Sequence, residues 1–133
     1  MKNFPLIAGI VSVLIIVGGV FLFSKGEKPL LSPPAGTVEY YWRVGCPHCE
    51  NVDKFLSSWP DKDKITINKF EAGSDRNNAK NLQQRAISCN IALAEIGVPL
   101  LFTSEGKCFT GDTPIIDFFT NLASQSASPS PKQ

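Results

Sequence analysis

Apolar and polar positions divide the chain into an uncharged apolar run, a Pro-rich stretch, a region of mixed periodicity and a polar tail. From Phe4 to Phe23 no charge interrupts 20 residues; as a helix rising about 1.5 Å per residue, that run spans roughly 30 Å, the hydrocarbon thickness of a bilayer. A cleaved secretory signal has a shorter apolar region and small residues at its cleavage site, whereas Ser24-Lys25-Gly26-Glu27-Lys28 follows here. The pattern predicts a retained transmembrane anchor over residues 1–25, with a cleaved signal as the alternative. Residues 26–36, with Pro29, Pro33 and Pro34, read as a stiff spacer. Residues 124–133 lack the apolar groups to offset ordering entropy and predict a disordered tail.

The stretch from Thr37 to Ala123 has the periodicities of one small domain. Residues 37–44, TVEYYWRV, are rich in β-formers and predict a strand covered on both faces. Val52, Phe55, Leu56 and Trp59 then recur at helical spacing until Pro60. A second strand is expected over 64–72, with Ile65, Ile67 and Lys69 on one side and Thr66, Asn68 and Phe70 on the other. Asp75 is placed to cap a helix whose stripe is Leu82, Ala86 and Cys89, continuing through Leu93 to Ile96 unless Asn90 interrupts it. Two short apolar runs around Ser104-Glu105-Gly106 predict a hairpin. Thr113 as N-cap and Pro114 at N1 predict a last helix with Ile115, Ile116, Phe119 and Leu122 inward. The order β-α-β-α-β-β-α gives an α/β class: a four-stranded mixed sheet flanked by helices.

Charge changes this picture little. The net charge is +1 with Lys and Arg scattered, so a nucleic-acid footprint is lacking. Lys2 before the apolar run and Lys25 and Lys28 after it leave membrane orientation undecided.

The candidate chemistry lies in Gly45-Cys46-Pro47-His48-Cys49, at a strand-to-helix junction. A thiolate at a helix N-terminus meets unpaired N–H groups and the positive end of the helix dipole. Cys46 is therefore the candidate nucleophile and Cys49, one turn on, the resolving thiol. Pro47 suits the first turn, where no N–H is needed, and His48 can add a positive charge or a donor. A disulfide whose thiolate is stabilised in this way is readily reduced by a substrate. The expected reaction is dithiol–disulfide exchange through a mixed disulfide at Cys46, with the enzyme as oxidant and no cofactor. Zinc would need two ligands more, from His48, Cys89 and Cys108, at spacings unlike a second knuckle. A purely structural bridge across four residues would gain little entropy.

Together with Gly97-Val98-Pro99 ahead of the third strand, this motif resembles the thioredoxin-like superfamily, and Cys46-Pro47-His48-Cys49 is similar to the active-site tetrapeptide of DsbA-type disulfide oxidases of the bacterial periplasm. The resemblance covers residues 37–123. It implies that Pro99 is cis and faces the active-site disulfide, and that the backbone of Val98 pairs with an extended substrate. It also implies a buried acid six residues before the first Cys. Tyr40 stands there, so Glu39 qualifies as proton acceptor only if a bulge resets the register; otherwise it is a surface carboxylate. The domain is too short for the helical insertion of the DsbA type, so a shallow groove is expected, and a reductase or isomerase remains an alternative. So does a non-catalytic module that captures peptides on the Gly97–Pro99 edge.

Cys89 and Cys108 are candidates for a structural disulfide, with two buried free thiols as the alternative. Disulfide chemistry places the domain outside the cytoplasm and the N-terminus inside. The expected partners are reduced or unfolded proteins and a membrane redox protein. Tyr40, Tyr41 and Trp42 read first as core; in a second reading one ring, with Trp59 or Phe102, lines the approach to Cys46.

Overall fold

The computed structural model describes residues 30–126. The elements are β1 (Thr37–Trp42), α1 (Pro47–Ser58), β2 (Thr66–Glu71), α2 (Arg76–Ser88), a 3-10 turn (Leu93–Glu95), β3 (Leu100–Thr103), β4 (Cys108–Thr110) and α3 (Asp112–Ser126). β1 is central and buried on both faces. It pairs parallel to β2 and antiparallel to β3, and β4 closes the other edge in the order β2-β1-β3-β4.

Val38 and Tyr40 of β1 and Leu101 of β3 face α1 and α3, packing with Val52, Leu56, Trp59, Ile115 and Phe119. Tyr41, Leu100 and Phe102 face the other way, onto Leu82 and Ala86 of α2. Each fully buried large apolar side chain contributes about 1.5–3 kcal/mol, so two such layers hold a sheet with no other means of covering its faces. A four-stranded mixed sheet with three flanking helices in this order is a thioredoxin-like fold.

Several boundaries differ from expectation for local reasons. β1 ends at Trp42 rather than Val44, because Val44 and Gly45 turn the chain and Gly45 has φ 70°, a conformation glycine adopts freely. α2 is capped by Asp75, whose side chain accepts from the N–H groups of Asn77 and Asn78. It stops before the extended stripe because Asn90 takes φ 59°. There Ile91 N donates to Ala86 O and Asn90 N to Ile87 O, the paired bonds of a Schellman cap. The stripe beyond is only a 3-10 turn.

The last helix begins at Asp112, so Thr113 lies inside it rather than at its cap. Gly111, at φ 88° and donating its N–H to Pro99 O, turns the chain one residue early. Asp112 takes over the polar duty, its Oδ1 accepting from Thr113 N at 3.0 Å. Pro114 remains in the first turn, where its missing N–H costs nothing.

The folded body also reaches further upstream than Thr37. Pro33 is buried, and the carbonyls of Leu30 and Leu31 accept from Arg85 at 3.2 and 2.7 Å. Leu30 and Leu31 of the Pro-rich spacer are thus pinned against α2. Downstream, α3 runs past Ala123 to Ser126. Among the described residues no helix is long and apolar enough to cross a membrane. The apolar run over 4–23, on which the anchor expectation rests, lies outside the described residues, as do residues 127–133.

Candidate active site

β1 delivers the CPHC motif to the carboxyl end of the sheet, and the turn at Gly45 swings it into α1. Cys46 is the N-cap of that helix, with extended backbone at φ −103° and ψ 107°. Its sulfur accepts the Cys49 N–H at 3.1 Å, taking the place a capping oxygen usually fills. Pro47 occupies the first helical position. Cys46 and Cys49 are joined in a disulfide with Cα atoms 5.2 Å apart. Cys46 is the more open of the two, 5% exposed against 1% for Cys49.

The Val98–Pro99 peptide is cis, and Cys46 Sγ lies 3.8 Å from Val98 O. Two motifs separated by 52 residues therefore meet at one point. Around them Arg43, Pro47, His48, Ala72, Gly73, Leu82, Gly97 and Val98 line a shallow groove of about 480 Å³. The loop that brings Gly73 to the groove is held by Glu71, which accepts from Ser74 Oγ and from the N–H groups of Gly73 and Ser74. Those bonds, the Ser74 hydroxyl first, pull the Glu71 carboxyl down to about 2. A larger cavity of about 620 Å³ lies at the opposite end of the sheet, beneath the β3–β4 turn, and touches none of these residues.

His48 stands 69% exposed beside the disulfide, its Nδ1 3.1 Å from Asp112 Oδ2. Asn51 Nδ2 donates to the same oxygen at 2.7 Å. Hydrogen bonds from Asn51 and then His48 hold the Asp112 carboxyl down at about 2, so it is a carboxylate throughout the neutral range. Asp112 has no place in a motif reading. Its signal in the sequence is only an acid after a glycine at a helix start. Val44, directly before Gly45-Cys46, is 77% exposed.

Glu39 is corrected. The register of β1 with β2 runs unbroken from Thr37↔Thr66 to Trp42↔Glu71, so the bulge its proton-acceptor role required is absent. Alternation then turns Glu39 to the face opposite α1, where it is neither near Cys49 nor on the surface. Arg85 clamps it through Nε and Nη2 at 2.7 and 2.8 Å, and the Tyr41 hydroxyl donates to it at 2.8 Å. The side facing Cys49 belongs to Tyr40, whose hydroxyl donates to Cys49 O at 3.3 Å. Burial, with Asp53 adding to it, pushes the Tyr40 ionisation up, so it stays a neutral donor.

The aromatic residues follow the core reading. Tyr40, Tyr41, Trp59 and Phe102 are buried, Trp42 packs against the same layer as α1, and none lines the groove. Cys89 and Cys108 are bonded to each other, joining the C-cap of α2 to β4 with Cα atoms 6.1 Å apart. The thiols thus form two separate bridges, and among the described residues no three His, Cys, Asp or Glu side chains are grouped to hold a metal. Set against known proteins, the chain matches no family model and no curated protein.

Proposed function

We propose that this chain is a membrane-anchored thiol-disulfide oxidoreductase of DsbA-like chemistry that oxidises reduced or unfolded proteins outside the cytoplasm. The observation that carries the reading is the position of Cys46: its sulfur caps α1, accepts the Cys49 N–H, and faces the Val98 carbonyl at the cis-Pro edge. A client segment extended along Val98 presents its cysteine to the disulfide in a defined orientation. The client thiolate attacks Cys46 Sγ and Cys49 leaves with the electron pair of the broken bond. A second client thiolate then attacks the client sulfur of the mixed disulfide and releases Cys46 as a thiolate. That last departure is eased by the same N–H and helix dipole that position the sulfur. When no second client thiol arrives, Cys49 resolves the mixed disulfide and frees the client.

In this reading Cys46 is the nucleophilic and leaving sulfur, Cys49 the resolving one, Pro47 shapes the first turn, His48 adds a positive charge or a donor beside the Cys46 thiolate, and Val98 and Pro99 hold the client. Residues 1–25 anchor the domain with the N-terminus in the cytoplasm, and a membrane redox partner reoxidises it. The test is the reduction potential of the chain in a glutathione series, with client oxidation measured for wild type and Cys46→Ala. An oxidase lies well above the thioredoxin value of about −270 mV, toward the roughly −120 mV of DsbA, and Cys46→Ala abolishes turnover. A potential close to that of thioredoxin makes the protein a reductase instead. Cellular function that survives Cys46→Ala makes it a peptide-binding module.

A further inference from the structure

We infer that His48 is the general base for the incoming client thiol and that Asp112 is its positioning residue. This rests on the oxidoreductase reading and adds to it a route for the proton. A client cysteine has an ordinary thiol pKa near 8.5, so at neutral pH only a few per cent of it is the thiolate that attacks. The groove therefore gains from a base beside Cys46. His48 lines the groove with Cys46 and Val98 and is the single histidine of the chain.

Its Nδ1 faces a carboxylate oxygen at 3.1 Å. That contact places the ring proton on Nδ1 and leaves the Nε2 lone pair to accept, the same tautomer logic by which a buried acid orients the histidine of a serine hydrolase. The carboxylate is itself held. Asn51, three residues on from His48 and on the same face of α1, donates to the oxygen that meets His48, and Thr113 N donates to the other. The remaining charges nearby leave that pairing intact. Arg43 lines the groove but has no acceptor lone pair for a proton. Glu50, two residues along α1, points to another side of the helix. Asp53 is taken by Lys69, and Glu71 by the backbone of its own loop.

The client S–H bond breaks with its proton passing to His48 Nε2. A bond forms from the client sulfur to Cys46 Sγ, and the Cys46–Cys49 bond breaks with its electron pair on Cys49. The imidazolium, beside the Asp112 carboxylate, returns its proton through solvent to Cys49 and is neutral for the second client thiol. Two electrons and two protons pass from the client dithiol to the enzyme.

The test is the rate of reaction of the oxidised full chain with a dithiol peptide from pH 5.5 to 9.5, for wild type, Asp112→Asn, His48→Ala and the double variant. Asp112→Asn is expected to slow the reaction about tenfold near pH 6.5, a part of the roughly 10²–10⁴-fold that a positioned general base contributes. The difference closes above about pH 9, where the peptide thiol is ionised without help. In the His48→Ala background Asp112→Asn adds nothing. An effect equal at all pH values, an effect that persists without His48, or no effect overturns the inference. Should Asp112→Asn fail to fold, the pH signature of His48→Ala, whose side chain is largely exposed, decides the question in its place. Failure of the oxidoreductase reading looks different: wild type then oxidises the peptide no faster than Cys46→Ala at any pH.

Discussion

The two disulfides of this chain sit at opposite ends of helices, and that difference in position separates their chemistry. Cys46 begins α1, and its sulfur accepts an N–H. Cys89 ends α2, with its sulfur 3.6 Å from Gly106 O, while Cys108 Sγ lies 3.6 Å from Arg85 O. A thiolate released at the first site meets a donor and the positive end of a dipole. At the second it meets carbonyl oxygens and the negative end. Leaving-group strength follows, so under the proposed function the first bond is the one expected to exchange and the second the one expected to resist. Loop length acts in the same direction: bridging three positions constrains little, whereas a separation of 19 removes much unfolded-state freedom.

The largest expected effect tests whether stability is concentrated at the second bridge. Arg85 lies beside it, its side chain 5% exposed and paired with Glu39. Arg85→Met leaves the Glu39 carboxylate buried without its cation and releases the carbonyls of Leu30 and Leu31. The expected loss is about 3–5 kcal/mol, read by urea denaturation of the oxidised protein, with the reduction potential unchanged. A shifted potential would mean that the two regions are coupled and would break the contrast.

Next in size is the bridge itself. Replacing both Cys89 and Cys108 by Ala restores to the unfolded chain the freedom of a loop of about 20 residues, worth about 3 kcal/mol in the entropic account. For a domain of this size that lowers Tm by roughly 12–24 °C. Client oxidation at 20 °C by the remaining folded protein should be unaltered. Loss of turnover in the folded fraction would make Cys89–Cys108 a participant in electron transfer rather than a brace.

This contrast was only half legible beforehand. The motif Cys46-Pro47-His48-Cys49 and the Gly97-Val98-Pro99 turn carry their chemistry in local sequence, and apolar periodicity carries the element order, because burial on one face leaves a trace at each repeat. Pairing of Cys89 with Cys108 leaves no such trace, since it depends on where the end of α2 falls relative to β4. Glu39 is hard to place from sequence for a different reason: one step of parity on β1 decides which face a side chain takes, and the acid that the resemblance implies at Tyr40 suits Glu39 only with a bulge that β1 does not have. Asp112 was invisible because its partners, His48 and Asn51, lie on another helix and are more than 60 positions away. Pro33 and Leu31 read as spacer by composition, and only the buried guanidinium of Arg85 shows why that segment is held.

The smallest effect bears on how the exchanging site is supported. Tyr40 stands where the resemblance to thioredoxin-like proteins implies a proton-accepting acid, yet it offers Cys49 a hydroxyl donor to its carbonyl and no carboxylate to its sulfur. If its task is to hold the first turn of α1 in place, Tyr40→Phe removes one modest hydrogen bond and leaves the buried Cys49 carbonyl its helical partner. The loss should be about 1 kcal/mol, with the rate of client oxidation and its pH profile within twofold of wild type. A change in the pH profile would instead make the phenol part of the proton path at Cys49. Proton handling would then be divided between the sheet beneath Cys49 and the imidazole beside Cys46. An unchanged profile keeps the redox site's electrostatics in the helix start and its Asp112-held histidine, and leaves the sheet a purely mechanical support.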